Sequence, residues 1–437
     1  MFETLKNAWK IKEVRVKLLI TLALLLVFRL GAFIPIAGIN IDELEVITES
    51  LGGSFLSIMD AVVGGSLSNG TIFALGISPY ITASIIIQLL TVAFPALERL
   101  SKEGGEEGRK KIAQYTRIFA IVLAVVQGIG ILLSYRNLID TALVDNNPSW
   151  TWVLYVAIVL QFAAGTALCM WVGERITDYG VGNGISLLIF TGIIASAGSA
   201  IRAELSTVFS GTEQASQSAF NLILFVVIVT IIFALIVWVD LAERKIPVQY
   251  AKQIKGRKIY GGKSTYIPIR INASGVMPLI FAYALLSFPS MIISMFNLSC
   301  SVATWFMLNL SPGRWLYTVL LSVLILFFAF FYAQIQFKPD DISRSIQQYG
   351  GFIPGIRPGR PTTDHLRKIS NRITLFGAIF LALIALVPSL ILSITGGSIL
   401  VNAISTTGLL IVVSVALEFD KQLESQIMMK HYKGFLE

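Results

Sequence analysis

Ten apolar windows recur along the chain, and polar connectors separate them. Each is 17 to 25 residues long, which is the length that crosses the hydrocarbon core of a bilayer. In lipid every backbone N–H and C=O group needs an internal partner, so each window predicts a transmembrane helix. The windows are 18–36, 71–95, 112–134, 152–172, 185–201, 219–239, 274–296, 315–337, 373–393 and 397–417.

One stretch between the first two windows fits neither a span nor an ordinary loop. Residues 52–70 read GGSFLSIMDAVVGGSLSNG, nineteen residues with five glycines, four serines and Asp60. The length would cross a membrane, but the glycines and the carboxylate argue against a lipid-facing helix. The pattern therefore indicates a special element at this place.

The composition supports a membrane protein. Of the 437 residues, 55% are hydrophobic and 14% are charged, and the mean hydropathy is +0.75. A soluble core cannot bury so much apolar surface. The cations before Leu18 resemble the start of a secretory signal, but the apolar run continues to Ile36 without a clean cleavage site, so we interpret it as the first span.

Charge asymmetry predicts the orientation. Thirty of the 34 Lys and Arg residues fall on the side that holds both termini, and only Arg29, Arg136, Arg202 and Arg314 fall outside that group. The positive-inside rule makes that side cytoplasmic. Orientation and attraction to anionic lipids explain most of this charge.

Two connectors exceed what orientation needs. Residues 240–270 and 338–372 are each longer than thirty residues and mix cations with Tyr, Ile and Pro. We expect them to fold into docking surfaces for a large cytosolic partner or an anionic surface such as RNA. The string GGKST in the first connector is not expected to be a phosphate loop, because five residues separate Gly256 from Gly262 and the sequence predicts no strand before them.

Neither catalysis nor metal binding is indicated. Cys169 and Cys300 lie in a span and a loop, so a structural disulfide is not expected, and His365 and His431 lie far from any cysteine pair. Nucleophile motifs and paired intramembrane carboxylates are absent from the sequence. We therefore predict that the chain is not an enzyme and needs no cofactor.

The spans are poor in ionisable residues, which argues against an ion-coupled pump. Ile77, Ile81 and Ile85 share one helix face; such a stripe usually packs against lipid or a neighbouring helix, although it could form a hydrophobic constriction. The amides of Gln88, Gln127 and Asn272 are explained by ordinary interhelical hydrogen bonds unless they meet at a seam that opens.

Four motifs make the picture specific. They are IFALGISPYITASIIIQLL (72–90), ITDYGVGNGIS (176–186), GRKIYGGKSTYIPIRIN (256–272) and GFIPGIRPGRPT (351–362), and together they resemble the SecY family, the channel subunits of the bacterial protein-export translocon. The resemblance covers the whole chain. It implies an all-α polytopic membrane protein with ten transmembrane helices in two pseudo-symmetric five-helix halves around a central hourglass pore.

The resemblance also assigns parts of the chain. The halves would be 1–205 and 218–437, the latter including a cytoplasmic tail from 418, with an external hinge loop at 206–217, and a short plug helix at about 54–68 would fill the outer funnel. The resemblance implies four sets of site residues. The pore ring would consist of Ile77, Ile81, Ile189, Ile280 and Ile411, and the plug would include Ser54, Phe55, Asp60, Gly64 and Gly65. The lateral gate would include Thr82, Gln88, Gln127, Asn272 and Phe288, and the SecA motor and the ribosome would dock at Arg257, Lys258 and Arg357.

The function implied is passage of unfolded secretory polypeptides across the cytoplasmic membrane of a bacterium and lateral release of transmembrane segments. The implied partners are the SecE and SecG subunits, the SecA ATPase, the ribosome with its nascent chain and ribosomal RNA, signal sequences and membrane lipids. The alternative is a secondary transporter of a small solute, which would need a dedicated binding site at the midplane.

Overall fold

The computed structural model describes most of the chain. The described residues are 2–39, 60, 63–102, 104–134, 151–209, 215–250, 253–255, 258–260, 264–271, 277–295, 301–310, 314–395 and 406–433. Helices dominate this part. They are α1 (Phe2–Lys10), α2 (Lys12–Gly31), α3 (Ser78–Ala93), α4 (Pro95–Lys102), α5 (Gly105–Ser134), α6 (Thr151–Tyr179), α7 (Gly184–Phe209), α8 (Ala215–Leu241), α9 (Met277–Met295), α10 (Ser301–Asn309), α11 (Trp315–Gln336), α12 (Pro339–Gln348), α13 (Arg360–Thr395) and α14 (Thr406–Lys433).

Each of the ten predicted windows overlaps a helix along the sequence. Six helical stretches are long and apolar enough to cross a membrane by length and composition: Gly105–Leu132, Trp152–Tyr179, Gly184–Phe209, Leu222–Leu241, Trp315–Gln348 and Arg360–Leu386. Helix α3 is shorter, and α2 carries Arg15 and Lys17 before its apolar run and Arg29 near the end of that run. The hydropathy pattern therefore located the helices, including α7, whose window was the shortest.

Several helix boundaries differ from the windows, and three of them have a clear local description. The second window was predicted to begin at 71, but α3 begins only at Ser78, because Gly76 takes a φ of +52° and Pro79 suits the first helical turn. The same helix ends before Pro95, which holds Phe94 in an extended conformation (φ −106°, ψ 115°). At the other end of the chain, α14 continues without a break to Lys433, through residues assigned to a tail.

The structure divides into two compact units. The first comprises Met1–Val227, Ala284–Tyr317 and Pro388–Glu437, and the second comprises Ile228–Tyr283 and Thr318–Val387. Within the first unit, α1 packs against α14, and their contact buries a small cluster that contains Ala8, Val14, Leu18, Val181, Leu423 and Ile427.

The second unit contains strands in the two connectors that the sequence predicted to fold into docking surfaces, although the predicted fold class was all-α. Strand β1 (Glu243–Tyr250) pairs antiparallel with β4 (Ser264–Arg270) and with β5 (Gly351–Phe352), while β2 (Gln253–Lys255) pairs with β3 (Lys258–Tyr260). The β1–β5 pairing joins the connector 240–270 to the connector 338–372. A buried cluster lies beneath this sheet and contains Ile246, Val248, Ile269, Ile346, Ile353 and Leu366.

Candidate functional site

A cluster of tight turns lies between α2 and α3, within the stretch that fitted neither a span nor a loop. Residues 63–70 form this turn cluster, and Asp60 organises it. The Asp60 Oδ1 atom accepts the backbone N–H groups of Leu67 (2.9 Å) and Ser68 (3.0 Å), and the Asp60 carbonyl oxygen accepts that of Gly65 (2.9 Å). The carboxylate therefore acts as the local template for a chain that has no regular secondary structure.

Two opposing effects act on the pKa of Asp60. Burial raises the pKa, while the N–H groups of Ser68 and Leu67 lower it, and the net pKa lies above the ordinary value for aspartate. The carboxylate is tolerated at this place because backbone donors satisfy it directly.

The turn cluster rests on the surrounding helices through buried apolar side chains. Val63 and Leu67 are only 3% and 4% exposed. Leu67 belongs to a buried cluster that also contains Ile36 before the turns, Leu75 after them, and Ile158 and Phe162 from α6. This packing seats the turn cluster firmly in the first unit.

Arg29 reaches the turn cluster from the last turn of α2. Its Nη1 atom donates a hydrogen bond to the Gly64 carbonyl oxygen at 3.0 Å, and its guanidinium lies over the Phe33 ring at 5.2 Å from the centroid. This half-buried arginine therefore binds a backbone carbonyl of the turn cluster.

The five isoleucines predicted for the pore ring lie at the start of α3 and on three other helices. Ile77 immediately precedes α3 and Ile81 lies in its first turn, while Ile189 lies on α7, Ile280 at the start of α9 and Ile411 on α14. Ile77, Ile189 and Ile411 are only 5%, 5% and 7% exposed, and Ile81 and Ile280 are half-buried. The three most buried side chains thus do not face the lipid-accessible surface.

Comparison with known proteins places the chain in a family. A family model described as SecY matches residues 71–419. Relatives named "Protein translocase subunit SecY" from Streptomyces griseus and Thermus thermophilus are each 42% identical over all of this chain and over 100% and 98% of their own lengths. The chain belongs to the SecY family. The SecY protein of Thermotoga maritima is similar at 41% identity.

Solved structures agree on the fold. A chain described as "The structure of a protein conducting channel" matches with a TM-score of 0.65 over 94% of this chain and 92% of its own, at 18% identity. Sec61 in a canine ribosome-channel complex matches with a TM-score of 0.63 at 17% identity, also over 94% and 92%. These likenesses confirm the predicted helical membrane fold of the SecY family.

The residues expected at a SecY lateral gate are only partly described. Thr82 and Gln88 lie on α3 and bond within that helix, Thr82 Oγ1 to the Ser78 carbonyl (3.1 Å) and Gln88 Nε2 to Ser84 Oγ (3.4 Å). Gln127, on α5, is 8% exposed, and its Oε1 has no hydrogen-bond partner among the described residues. Asn272 lies outside the described residues, and Phe288 lies on α9 with its side chain outside them.

The docking residues expected in SecY lie in the second unit. Arg357 is exposed in the turn between β5 and α13, and its carbonyl oxygen accepts the Thr362 hydroxyl at 2.8 Å. It borders a groove of about 530 Å³, together with Gln347, Gly350, Gly351, Phe352, Gly355, Ile356 and Pro358. Lys258 lies on β3 with its side chain outside the described residues, and Arg257, like the plug residues Ser54 and Phe55, lies outside them altogether.

Sequence reasoning missed two features of this SecY-family chain. It did not assign Arg29 to the turn cluster, although an arginine inside an apolar run is costly and signals an internal partner. It also did not predict that the two long connectors share a sheet. Alternation in ERKIPVQY and STYIPIR was the available signal, but Pro247 and Pro268 within these stretches obscured it.

Proposed function

We propose that this chain is the pore-forming subunit of a protein translocation channel. It passes unfolded secretory polypeptides across the membrane and releases transmembrane segments sideways into the bilayer. One observation carries the proposal beyond family membership: the turn cluster is seated against elements next to two ring isoleucines. Val63 packs at Gly76, which precedes Ile77, and Gly64 lies against Gly192, one helical turn from Ile189.

The ring would act as a hydrophobic constriction. Ile77, Ile81, Ile189, Ile280 and Ile411 are aliphatic and uncharged, so a narrow neck between them would exclude water and ions when no polypeptide is present. The same side chains offer an extended polypeptide no charge or hydrogen-bond donor to hold it. A channel for many different sequences requires such weak contacts.

The plug and the gate would complete the channel. The plug, which includes Asp60, Gly64 and Gly65, would close the external funnel, since Gly64 and Gly65 take φ values of +79° and +81° that suit a small element bounded by glycines. The gate would open along Thr82, Gln88, Gln127, Asn272 and Phe288. The buried Gln127 Oε1, which lacks a partner within the described residues, supports a seam whose polar groups exchange partners.

The connectors of the second unit would bind the machinery that drives transport. An exposed Arg357 beside an open groove suits the SecA motor or the ribosome, including its RNA, and Arg257 and Lys258 would add cations to that surface. SecE and SecG would accompany the chain. Energy would come from these partners, since the subunit is a channel rather than a catalytic enzyme.

The charge distribution supports an arrangement in the cytoplasmic membrane of a bacterium with both termini inside. The halves 1–205 and 218–437 would then move about the external loop 206–217.

Among the described residues no group of metal-binding side chains is present, and the proposed mechanism uses none.

Crosslinking of an arrested secretory chain tests this function. A photoreactive residue at 189 should capture the arrested polypeptide, because Ile189 would line the constriction, and residues 77, 81, 280 and 411 should behave alike. The measurement is the fraction of radiolabelled polypeptide that becomes attached to the channel.

Ile194 supplies the matched control, since it lies on the same helix but is 46% exposed. A photoreactive residue there should capture lipid instead. Equal capture of lipid at 189 and 194, with the polypeptide captured at neither, would overturn the proposal.

A further inference from the structure

We infer that Arg29 is a positioning residue that holds the turn cluster, and with it the plug, in the resting channel. The inference rests on the proposed function, because it gives a role to a plug. It concerns a residue of the first span that lies outside the ring, the plug, the gate and the docking surface. Its physical basis is a charged hydrogen bond from α2 to the backbone of the turn cluster.

The contact joins a charged donor to a backbone acceptor. Arg29 Nη1 donates to the Gly64 carbonyl oxygen at 3.0 Å, and the Phe33 ring lies beside the guanidinium at 5.2 Å. Hydrogen bonds to charged groups are about twice as strong as those between neutral groups. The aromatic ring restricts the guanidinium and so favours this one geometry.

Gly64 fits into a slot that a larger residue could not enter. Its φ is +79°, and a Cβ atom at this position would lie 2.8 Å from Arg29 Nη1 and 3.1 Å from both the Cα and the carbonyl oxygen of Gly192. Two glycine backbones therefore meet in direct contact, with the arginine above them. On this inference, Gly64 stays against Gly192 only while the Arg29 guanidinium bonds to the Gly64 carbonyl oxygen.

The slot lies next to the proposed constriction. Gly192 is three residues after Ile189 on α7, so both lie on one face of that helix. On the other side, Val63 packs against Gly76, which directly precedes Ile77. Movement of the turn cluster out of the slot would therefore release two elements that carry ring isoleucines. Arg29 would couple plug displacement to widening of the ring.

The first experiment measures the resting ion conductance of the channel, purified with its small subunits and reconstituted into planar bilayers. Arg29→Met keeps the length of the side chain and removes the donor, so the resting conductance should rise tenfold or more. The resting conductance of Arg29→Lys should lie between those of Arg29→Met and the wild type, because lysine keeps the charge but not the planar fork. Unchanged conductance in Arg29→Met would overturn the inference.

Arg202→Met is the matched control. Arg202 lies on α7 and is exposed, and it carries the same charge on the predicted outer side. Its replacement should leave the conductance at the wild-type level. A rise equal to that of Arg29→Met would mean that external charge matters and the hydrogen bond does not.

A disulfide distinguishes release of the turn cluster from misfolding of α2. The Val63 Cβ lies 3.5 Å from the position of a Cβ at residue 76, within the range of about 3.5 to 4.5 Å for disulfides. The test protein carries Val63→Cys and Gly76→Cys together with Arg29→Met. Its native cysteines, Cys169 and Cys300, are replaced so that only the new pair can form a disulfide. Oxidation should restore the low conductance, and reduction should raise it again. A leak that persists after oxidation would show a defect of α2 and overturn the inference.

The rate at which the disulfide between residues 63 and 76 forms gives a readout that is independent of conductance. If the Arg29→Met protein does not accumulate in cells, Arg29→Lys replaces it in this measurement. Oxidation should be severalfold slower in either variant than with Arg29 present, because the turn cluster spends less time in its slot. Export of a secretory protein by the wild type is measured in parallel. If the wild type fails to export the protein while the Arg29 variant slows disulfide formation, the proposed function is wrong and the positioning role stands. If export succeeds and the rate of disulfide formation is unchanged in the variant, the positioning role is wrong.

Discussion

At the scale of single residues, two charged side chains at the turn cluster bond to backbone groups of that cluster. Asp60 accepts two backbone N–H groups, and Arg29 donates to a backbone carbonyl. Such pairs order an irregular segment without bringing ions of both signs into an apolar region. This explains how the turn cluster, which contains Gly64, Gly65 and Gly70, keeps one conformation.

Replacement of Asp60 tests this explanation. Asp60→Ala removes the acceptor for Leu67 and Ser68, at a cost of about 1 to 3 kcal/mol to the local structure, and the resting conductance should rise. Asp60→Asn keeps an amide oxygen at the same place and should stay near the wild type. Resting conductance of the reconstituted channel is the measurement. Equal leaks in both variants would show that the charge of Asp60 matters rather than its acceptor geometry.

At the scale of elements, close backbone packing determines where helices cannot form. Residues 71–77 are apolar enough to extend α3, yet they form turns that lie directly against α6. A Cβ at Gly165 would overlap the Ile72 carbonyl oxygen. The glycine therefore provides room for an irregular segment that carries Ile77, and hydropathy alone cannot reveal such a contact.

Two glycine-to-alanine replacements separate packing from helix propensity. Gly165→Ala should lower the thermal unfolding temperature by several degrees, because the added methyl group forces α6 away from residue 72 at a cost of about 1 to 3 kcal/mol. Gly198→Ala, on α7, should be neutral or stabilising, since nothing within the described residues lies within 4 Å of the new Cβ. Unfolding in detergent measures both. A neutral Gly165→Ala would contradict the packing argument.

At the scale of the whole molecule, the two long connectors 240–270 and 338–372 are not independent loops. The β1–β5 pairing brings Gln249 opposite Phe352, and the shared buried cluster draws on both connectors and on α13. Arg357 therefore sits on a folded support rather than on a flexible loop. A rigid support allows an exposed arginine to present its planar fork to a partner at little entropic cost.

Reversal of this charge tests the docking surface. Arg357→Glu should reduce SecA-driven export of a secretory protein severalfold, while insertion of the channel itself into the membrane remains normal. Arg357→Lys is the control and should retain most of the export, because it keeps the sign of the charge. Export into inverted membrane vesicles is the measurement. Normal export by Arg357→Glu would place the motor elsewhere.

The sequence by itself determined the helices, the predicted orientation and the family. Length and hydropathy decide whether a segment crosses lipid, and both are local properties of the chain. Only the tertiary structure decided that Arg29 meets Gly64, that Gly165 lies against Ile72 and that two distant connectors share a sheet. These contacts join residues far apart in the chain, and they depend on the approach of backbone atoms that have no signature in a pattern of apolar and polar side chains.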